Sequence, residues 1–321
     1  MVKILTIGAA VQDVFLSHSP EFKPVSDKTA DELFIKIELG SKNDVNNIDF
    51  STGGGATNAA VTFARQGLEV QFMGTIAHDP AGEAVLADMD KESVDTTYVS
   101  YSEKYRTGYS VVLLASTGER TFLTYRGAST HYDIKNFDLS DAQADWLYVT
   151  SMAGNVDIID KIFRQAKSLN MKVFFNPGKD ELKKISKLKS LLEDVDVLSI
   201  NRQEAQLIVD SDNLEGLIRR LLHYVPLAIV SDGPNGVIAS DGKTIVRAGM
   251  YEDVKVIDRT GAGDAFGSGF LSKWVIGKSL KDSIVFASAN STSVVTKIGA
   301  KSGILHKGEV LHSMPLSEKA F

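Results

Sequence analysis

The chain has 321 residues, of which 43% are hydrophobic and 24% charged, as in a soluble globular protein with one large α/β domain or two smaller ones. The formal net charge is −6, which excludes a general attraction to nucleic acid or to an anionic membrane, so any phosphate site has to be local. There is no cysteine, which excludes disulfides, thiolate catalysis and Cys-based zinc sites. Together with the lack of a recognisable signal peptide, this composition predicts a cytoplasmic protein.

Strand-like and helix-like segments alternate along most of the chain, which predicts a sheet of mostly parallel strands joined by crossover helices. The predicted strands are Ile4–Gly8, Val70–Gly74, Trp146–Thr150, Lys172–Asn176, Val197–Ile200, Leu227–Ser231, Val237–Ser240 and Thr244–Arg247. The predicted helices are Thr57–Gln66, Pro80–Glu92, Val156–Leu169, Asp180–Leu192, Gln203–Val209, Asn213–His223, Gly263–Val275 and Leu280–Thr296.

Two stretches interrupt this alternation and predict a small β-lid over the edge of the main sheet. Apolar and polar residues alternate over Phe34–Leu39, and Tyr109–Ala115 and Arg120–Tyr125 have the pattern of a β-hairpin joined by Ser116-Thr117-Gly118-Glu119. The division that follows is a main nucleotide- and substrate-binding domain of residues 1–14, 51–100 and 127–321, and a lid of residues 15–50 and 101–126.

The most informative segment runs from Asp258 through a Thr-Gly-Ala-Gly turn, Thr260–Gly263, to Asp264 and a predicted helix. A glycine-rich turn into a helix leaves backbone N–H groups without acceptors beside the positive end of the helix dipole, which suits a phosphate. The carboxylate of Asp264 has two explanations. It either caps the helix, or it accepts the proton of a hydroxyl that attacks a phosphoryl group held by the turn.

A second glycine-rich turn, Gly53–Gly55, begins the helix that carries Asn58. Its glycines serve either close backbone packing or the close approach of a polyhydroxyl ligand, with Asn58 binding the hydroxyls. Asp13 follows the first predicted strand, at the carboxyl end where open α/β sheets bind ligands, and could accept hydrogen bonds from a vicinal diol.

The two turns together, Gly53-Gly54-Gly55-x-x-Asn58-Ala-Ala and Asp258-x-Thr-Gly-Ala-Gly-Asp264-Ala-Phe, are specific. With four further segments they resemble the ribokinase-like (PfkB) family of carbohydrate kinases over nearly the whole chain. These segments are Gly74–Gly82, Asn176-Pro177-Gly178, Asn201-Arg202-Gln203-Glu204 and Ser231–Gly236. The resemblance implies an α/β fold of the ribokinase-like type, a three-layer α/β/α sandwich with a central, mostly parallel sheet and a small β-sheet lid.

The resemblance also implies roles for individual residues. Asp264 is the expected general base, and Gly261, Ala262 and Gly263 form the expected anion hole. The expected substrate contacts are Asp13, Gly54, Gly55 and Asn58, to which Arg126 is added as a cationic contact. The expected nucleotide contacts are Asn201, Glu204, Ser231, Gly233, Gly236, Thr260 and Asn290. Glu204 is expected to organise Mg²⁺ through water, and Asp258 with the Thr260 carbonyl is the expected site of a monovalent cation such as K⁺. A helix-capping role is the alternative for Asn201 and Glu204.

The expected activity is transfer of the γ-phosphoryl group of ATP to a primary hydroxyl of a monosaccharide or sugar derivative of the ribose, fructose or sugar-acid type. A nucleoside is the alternative substrate and would need an aromatic slot, with Phe34, Tyr109 and Tyr125 as its candidate residues. A catalytically silent sugar- or nucleotide-binding protein is a third hypothesis. The family resemblance also predicts a homodimer through the β-lid and no nucleic-acid or membrane partner.

Overall fold

The structure is a computed structural model and describes residues 2–17, 19, 22–27, 32–115, 119–249, 254–309 and 316–321. The strands are β1 Lys3–Ile7, β2 Val11–Ser17, β3 Val25–Asp27, β4 Glu32–Phe34, β5 Asn47–Gly53, β6 Glu69–Ile76, β7 Asp95–Tyr101, β8 Gly108–Leu114, β9 Arg120–Tyr125, β10 Trp146–Val149, β11 Lys172–Phe175, β12 Val197–Asn201, β13 Leu227–Ser231, β14 Val237–Ser240, β15 Thr244–Ala248 and β16 Leu316–Ala320. The helices are α1 Gly55–Arg65, α2 Pro80–Lys91, α3 Val156–Ser168, α4 Lys179–Leu182, α5 Ile185–Leu191, α6 Arg202–Ile208, α7 Leu214–Leu221, α8 Ala262–Trp274 and α9 Leu280–Val295.

The main sheet has the strand order β16-β15-β14-β13-β12-β11-β10-β1-β6-β7. The seven strands from β13 to β7 are parallel, whereas β14, β15 and β16 add an antiparallel edge. Parallel neighbours require crossover connections, which here contain the helices. The parallel strands therefore end at one edge of the sheet, and the loops at that edge carry most of the candidate site.

Both faces of the main sheet are buried, as the strand β10 illustrates. Trp146 and Tyr148 belong to one apolar cluster, with residues of α1, α2, α8 and α9, while Leu147 and Val149 belong to the other, with residues of α3, α5, α6 and α7. Consecutive side chains of a strand point to opposite faces, so a run of four apolar residues fits a strand covered on both sides. The predicted three-layer α/β/α architecture is confirmed.

A second sheet has the order β5-β2-β8-β9, and β3 and β4 form a separate two-stranded ribbon. The predicted hairpin is confirmed as the antiparallel pair β8 and β9, although its predicted turn at 116–118 lies outside the described residues. The alternating segment Phe34–Leu39 of the predicted β-lid continues no strand beyond Phe34, because residues 35–38 have no regular structure. Leu39 is 99% exposed, so the alternation there has no partner surface to bury it.

Strand β2 has no counterpart among the predicted elements, and it places Asp13 within the second sheet rather than in a loop after β1. Asp13 pairs in register with Ser51 of β5 and with Ser110 of β8. The second sheet thus begins before residue 15, where the predicted lid begins. The division of the chain into a main domain and a lid stays a prediction.

Most other predicted elements are confirmed within two residues at each end, and the clearest exception is the predicted helix Asp180–Leu192. It is two helices, α4 and α5, because the chain tightens between them. The amide of Lys184 donates to the carbonyl of Glu181, three residues earlier, at 2.9 Å. The side chain of Glu181 is fully buried and accepts from the amides of Met152 and Gly154, which holds this turn against the end of β10.

No helix in the described part of the chain is both long and apolar enough to cross a membrane.

Candidate active site

The turn before α1 requires glycine at adjacent positions. Gly54 is the N-cap of α1 with φ +101°, and a Cβ there would collide with the backbone carbonyl of Ala9. A Cβ on Gly53 would lie 2.5 Å from Oδ2 of Asp13, and one on Gly55 would lie 3.2 Å from Oδ1 of Asp264. The two carboxylates therefore approach the same glycine turn, Asp13 at one end and Asp264 at the other.

Asp264 does not cap its helix. The N-cap of α8 is Gly261, in the left-handed conformation with φ +76°, and Asp264 is the third residue of the helix. Its Oδ2 accepts a hydrogen bond from Nδ2 of Asn58, which lies in α1, at 2.8 Å. The carboxylate consequently points across to the other glycine turn, so the capping explanation is wrong.

The surroundings of Asp264 favour a carboxyl group that can take up a proton. Burial raises the pKa of Asp264 above its ordinary value, while the hydrogen bond from Asn58 acts in the opposite direction. Oδ1 of Asn58 is buried and has no hydrogen-bond partner among the described residues. A buried amide oxygen without a donor is costly, so a ligand hydroxyl is the kind of group that would satisfy it.

The anion turn, Thr260–Gly263, lies at the start of α8, where the first-turn amides have no acceptors within the helix. Its geometry depends on Gly261, because a Cβ there would collide with Ala300. The amide of Ala262 already donates to the carbonyl of Arg259, at 3.3 Å. A Cβ on Gly263 would meet no atom within 4 Å, so a ligand can approach the turn most closely at that residue.

Asp13 is buried, with 5% of its surface exposed. Burial raises its pKa, whereas a hydrogen bond with the Ser110 side chain and the positive charge of Lys301 lower it. Since Ser110 and Ser51 flank Asp13 on the neighbouring strands, the second sheet supplies this side of the site. Arg126, the other predicted substrate contact on this side, is exposed, and its charge lowers the pKa of Asp180.

A cavity of about 420 Å³ adjoins the anion turn, between α8, α9 and the carboxyl ends of β11, β12 and β13. The predicted nucleotide contacts that line it are Asn201, Glu204, Ser231, Gly233 and Gly236. Ala262 and Gly263 also line it, so this cavity adjoins the anion turn. The predicted nucleotide residues and the predicted catalytic residues are thus brought together, although their roles stay predictions.

Asn201 and Glu204 form a capping box and also face the cavity. Oδ1 of Asn201 accepts from the Glu204 amide, and Oε2 of Glu204 accepts from the Asn201 amide, each at 2.9 Å. The capping alternative is therefore confirmed, and it coexists with a place in the cavity wall. Burial raises the pKa of Glu204. Its second oxygen fits a Mg²⁺ ion that keeps water and takes its remaining ligands from phosphates.

Asn290 is a correction. It is fully buried, its Nδ2 donates to the carbonyl of Ala265 at 2.8 Å, and its Oδ1 accepts from the amide of Leu305 at 2.9 Å. The first bond holds α9 against α8 and the second holds it against the segment after α9, so the side chain of Asn290 is used within the fold and lies outside the cavity lining. The residues of α9 that do line the cavity are Ser288, Ser291, Thr292 and Val295, one helical face that i, i+3, i+4, i+7 spacing could have identified.

Asp258 departs from its predicted role as a ligand of a monovalent cation. The amide and the hydroxyl of Thr260 both donate to Oδ1 of Asp258, and the amide of Gly299 donates to Oδ2. A salt bridge joins Nε of Arg120 to the same Oδ1, at 3.2 Å. The side chain of Thr260 is thus bound within the turn, outside the cavity lining, and the charge of Asp258 is already balanced by a cation of the chain.

Sequence reasoning missed Arg120, Ser110 and the aromatic ring of Phe266, which lines the cavity from α8. Nothing near Arg120 in sequence points to Asp258, which lies 138 positions away. Phe266 could have been found, because it is two residues beyond Asp264 in the first turns of the same helix.

Comparison with known proteins gives one consistent result. A family model described as pfkB family carbohydrate kinase matches residues 25–307. Ribokinase from Haemophilus influenzae is 28% identical over 278 residues, which cover 83% of this chain and 88% of that protein. A provisionally named ribokinase II from E. coli, solved in complex with ATP and Mg²⁺, has a TM-score of 0.79 at 20% identity, covering 95% of this chain and 96% of that one. Adenosine kinase from Sinorhizobium meliloti has a TM-score of 0.76 at 23% identity, covering 94% and 95%.

Proposed function

This chain belongs to the pfkB family of carbohydrate kinases, as its motifs predict, and from that premise we propose that it transfers the γ-phosphoryl group of ATP to a primary hydroxyl of a monosaccharide or sugar derivative. As a member of this family, the protein is a phosphotransferase with an alcohol group as acceptor. Ribose, fructose and a sugar acid are the acceptor types we favour. The observation that carries the proposal is the hydrogen bond from Asn58 to Asp264, which joins the two glycine turns at one carboxylate.

In the proposed reaction the acceptor hydroxyl lies between Asp264 and the anion turn. Its oxygen forms a bond to the γ-phosphorus, the bond from that phosphorus to the β–γ bridging oxygen breaks, and ADP leaves with the electron pair. Asp264 accepts the hydroxyl proton late in this process. The free amides at the start of α8, with the helix dipole behind them, stabilise the charge on the transferred group.

The acceptor is held from the other side by Asp13 and Asn58. The carboxylate of Asp13 can accept hydrogen bonds from two neighbouring hydroxyls, and the unpartnered oxygen of Asn58 can accept from a third. Gly54 and Gly55 allow the ring of the acceptor to lie against the backbone of the turn. This arrangement selects a diol next to a primary hydroxyl rather than a simple alcohol.

The nucleotide is proposed to occupy the cavity beside the anion turn, with Gly233 and Gly236 near it and Ser231, Asn201 and Glu204 toward its phosphates. Glu204 would hold Mg²⁺ through water, and the ion would neutralise phosphate charge. A cluster of three or more acidic or histidine side chains suited to a metal is absent from the described residues. One carboxylate with phosphate oxygens and water is a common arrangement for Mg²⁺ with ATP.

An ATP-consumption assay over pentoses, hexoses, sugar acids and nucleosides tests this function, with the phosphorylated product identified by mass spectrometry. We expect one sugar class to give turnover well above the ATPase background. Turnover on nucleosides alone would replace the sugar proposal with the nucleoside alternative, to which the exposed rings of Phe34 and Tyr125 could contribute. ATP binding without transfer to any acceptor would indicate a silent binding protein. A cytoplasmic location stays a prediction.

We also propose that two copies associate through their small sheets. The small sheet is the second sheet, β5-β2-β8-β9. Its outer face exposes Ile48 and Phe50 on the edge strand β5, and Leu123 and Tyr125 on the edge strand β9. Phe50 is 64% exposed and Leu123 58%. Among the described residues no strand pairs with the outer edge of β5 or of β9, which favours pairing with a second copy that presents the same surface.

Sedimentation equilibrium checks this association. We expect a dimer for the wild type and a monomer for the double variant Phe50→Glu with Leu123→Glu, because a charge at each position cannot be buried in an apolar interface. The matched control is Leu207→Glu, at a similarly exposed leucine on α6. A monomeric wild type at micromolar concentration would contradict the proposal.

A further inference from the structure

Arg120 connects the small sheet with the anion turn. It is the first residue of β9, and its guanidinium reaches Asp258, two residues before Thr260. Asp258 is 2% exposed, so its charge is nearly out of contact with water. A buried carboxylate of this kind requires a positive partner, and Arg120 is the cation that the structure places beside it.

The oxygens of Asp258 are already used by donors of the chain. Oδ1 accepts from the amide and the hydroxyl of Thr260, at 2.9 and 2.7 Å, and Nε of Arg120 lies 3.2 Å from the same atom. Oδ2 accepts from the amide of Gly299 at 3.0 Å. A carboxylate offers about four lone-pair sites, and three of them are used by hydrogen bonds. Arg120 pairs with this carboxylate as an ion, since its Nε has no hydrogen-bond partner among the described residues.

A monovalent cation does not fit this set of contacts. K⁺ is held by several oxygens that replace its hydration shell, whereas the groups directed at Asp258 are N–H and O–H donors and a guanidinium. A second positive charge at this carboxylate would be repelled by Arg120 across a poorly hydrated space. The contacts of Asp258 therefore disagree with the monovalent-cation site that the family resemblance implies.

We infer that Arg120 is the fixed cation of this site, that it positions the anion turn through Asp258, and that the enzyme works without K⁺. The inference rests on the proposed kinase function only for its kinetic test. Asp258 binds Thr260 and Gly299, so it links the anion turn to the segment after α9. Loss of the Arg120 charge would leave Asp258 buried without a counter-charge, which displaces the turn whose amides hold the phosphoryl group.

The first test is the response of stability to potassium. The melting temperature is measured at constant ionic strength in potassium chloride and in tetramethylammonium chloride, whose cation is too large for such a site. We expect the same melting temperature in both salts for the wild type. Arg120→Ala is expected to melt lower and to regain a few degrees in potassium, since K⁺ can then approach Asp258. A wild type stabilised by potassium, or an Arg120→Ala variant indifferent to the salt, would overturn the inference.

The second test is kinetic. Wild-type kcat is expected to agree within about twofold in the two salts, and Arg120→Ala to lose about tenfold or more in tetramethylammonium, with partial recovery in potassium. Arg219→Ala is the matched control, because Arg219 forms an exposed salt bridge with Glu215 within α7. We expect this variant to keep the wild-type kcat in both salts. Strong activation of the wild-type kcat by potassium would overturn the inference. The stability test does not need turnover, so it decides between Arg120 and K⁺ even if no acceptor is phosphorylated. A failure of this inference can therefore be told apart from a failure of the proposed kinase function.

Discussion

Replacement of Asp264 by Asn is expected to lower kcat by about 10²-fold or more, with the KM values for ATP and acceptor changed little. The amide has nearly the same shape as the carboxylate and can still accept the hydrogen bond from Asn58, but it cannot take the proton of the acceptor hydroxyl. The variant should unfold no more easily than the wild type, because burial raises the pKa of Asp264 and therefore disfavours the charged form that Asn removes. Steady-state kinetics, with chemical denaturation alongside, provide the measurement.

The matched control for this variant is Asp282→Asn. Asp282 occupies the third position of α9, as Asp264 does in α8, but its side chain is exposed and away from the glycine turns. We expect this control to keep wild-type kcat. Near wild-type turnover of Asp264→Asn on its best acceptor would show that another group accepts the proton, whereas a similar loss in both variants would point to a general effect of first-turn acids on their helices.

The sequence was sufficient for the parts of the site that depend on neighbouring residues. The turn at Gly53–Gly55 and the turn at Thr260–Gly263 each need glycines in fixed order before a helix, and both were predicted because that requirement is local. Ala262 and Gly263 then lie in the cavity wall together with Ser231 and Gly233, as expected for loops at one edge of a parallel sheet.

Two kinds of feature could not be predicted from the sequence. One is which face of a helix or strand is buried, and the other is a contact between distant elements. The sequence predicts a nucleotide contact for Asn290, whereas its position on α9 places it opposite the face of Ser288 and Thr292, toward Ala265. A polar residue in a helix next to a predicted site is ambiguous until its neighbours are known. The salt bridge between Arg120 and Asp258 shows the same limit, because it joins strand β9 to the loop before α8 across 138 positions.

The lid illustrates a third limit. Alternation over Phe34–Leu39 predicts a strand only where another strand offers hydrogen bonds and a surface to cover, and only the short β4 has such a partner, in β3. The strand that actually joins the second sheet from this region is β5, and β2 was hidden because it follows β1 after only three residues. The prediction for Asp13 does not depend on β2, because it rests on a carboxylate that follows the first strand.

Replacement of Asp13 by Asn is expected to raise the KM for the acceptor by about 10- to 100-fold and to leave the KM for ATP within about twofold. Hydrogen bonds to a charged acceptor contribute about 1.5–3 kcal/mol, and Asn offers one neutral oxygen in place of two charged ones. The fold should tolerate the change. Although Lys301 is close enough for its charge to act on Asp13, its ammonium donates to Asp88 and Thr52, so it does not lose its counter-charge.

The control that separates binding from packing is Ser110→Ala. A hydrogen bond with the Ser110 side chain lowers the pKa of Asp13. Ser110→Ala removes that hydrogen bond but keeps the carboxylate, so we expect acceptor binding to weaken only modestly. Isothermal titration with the acceptor, in the absence of ATP, measures the same loss as a dissociation constant and does not require turnover. If Asp13→Asn raised both KM values in parallel, the carboxylate would be supporting the glycine turn that it approaches at Gly53 rather than binding a diol. Because Asp13 lies in the second sheet and Asp264 in helix α8, a change confined to the acceptor would also mean that the second sheet and a helix of the main layer each contribute one carboxylate to a single hydroxylated substrate.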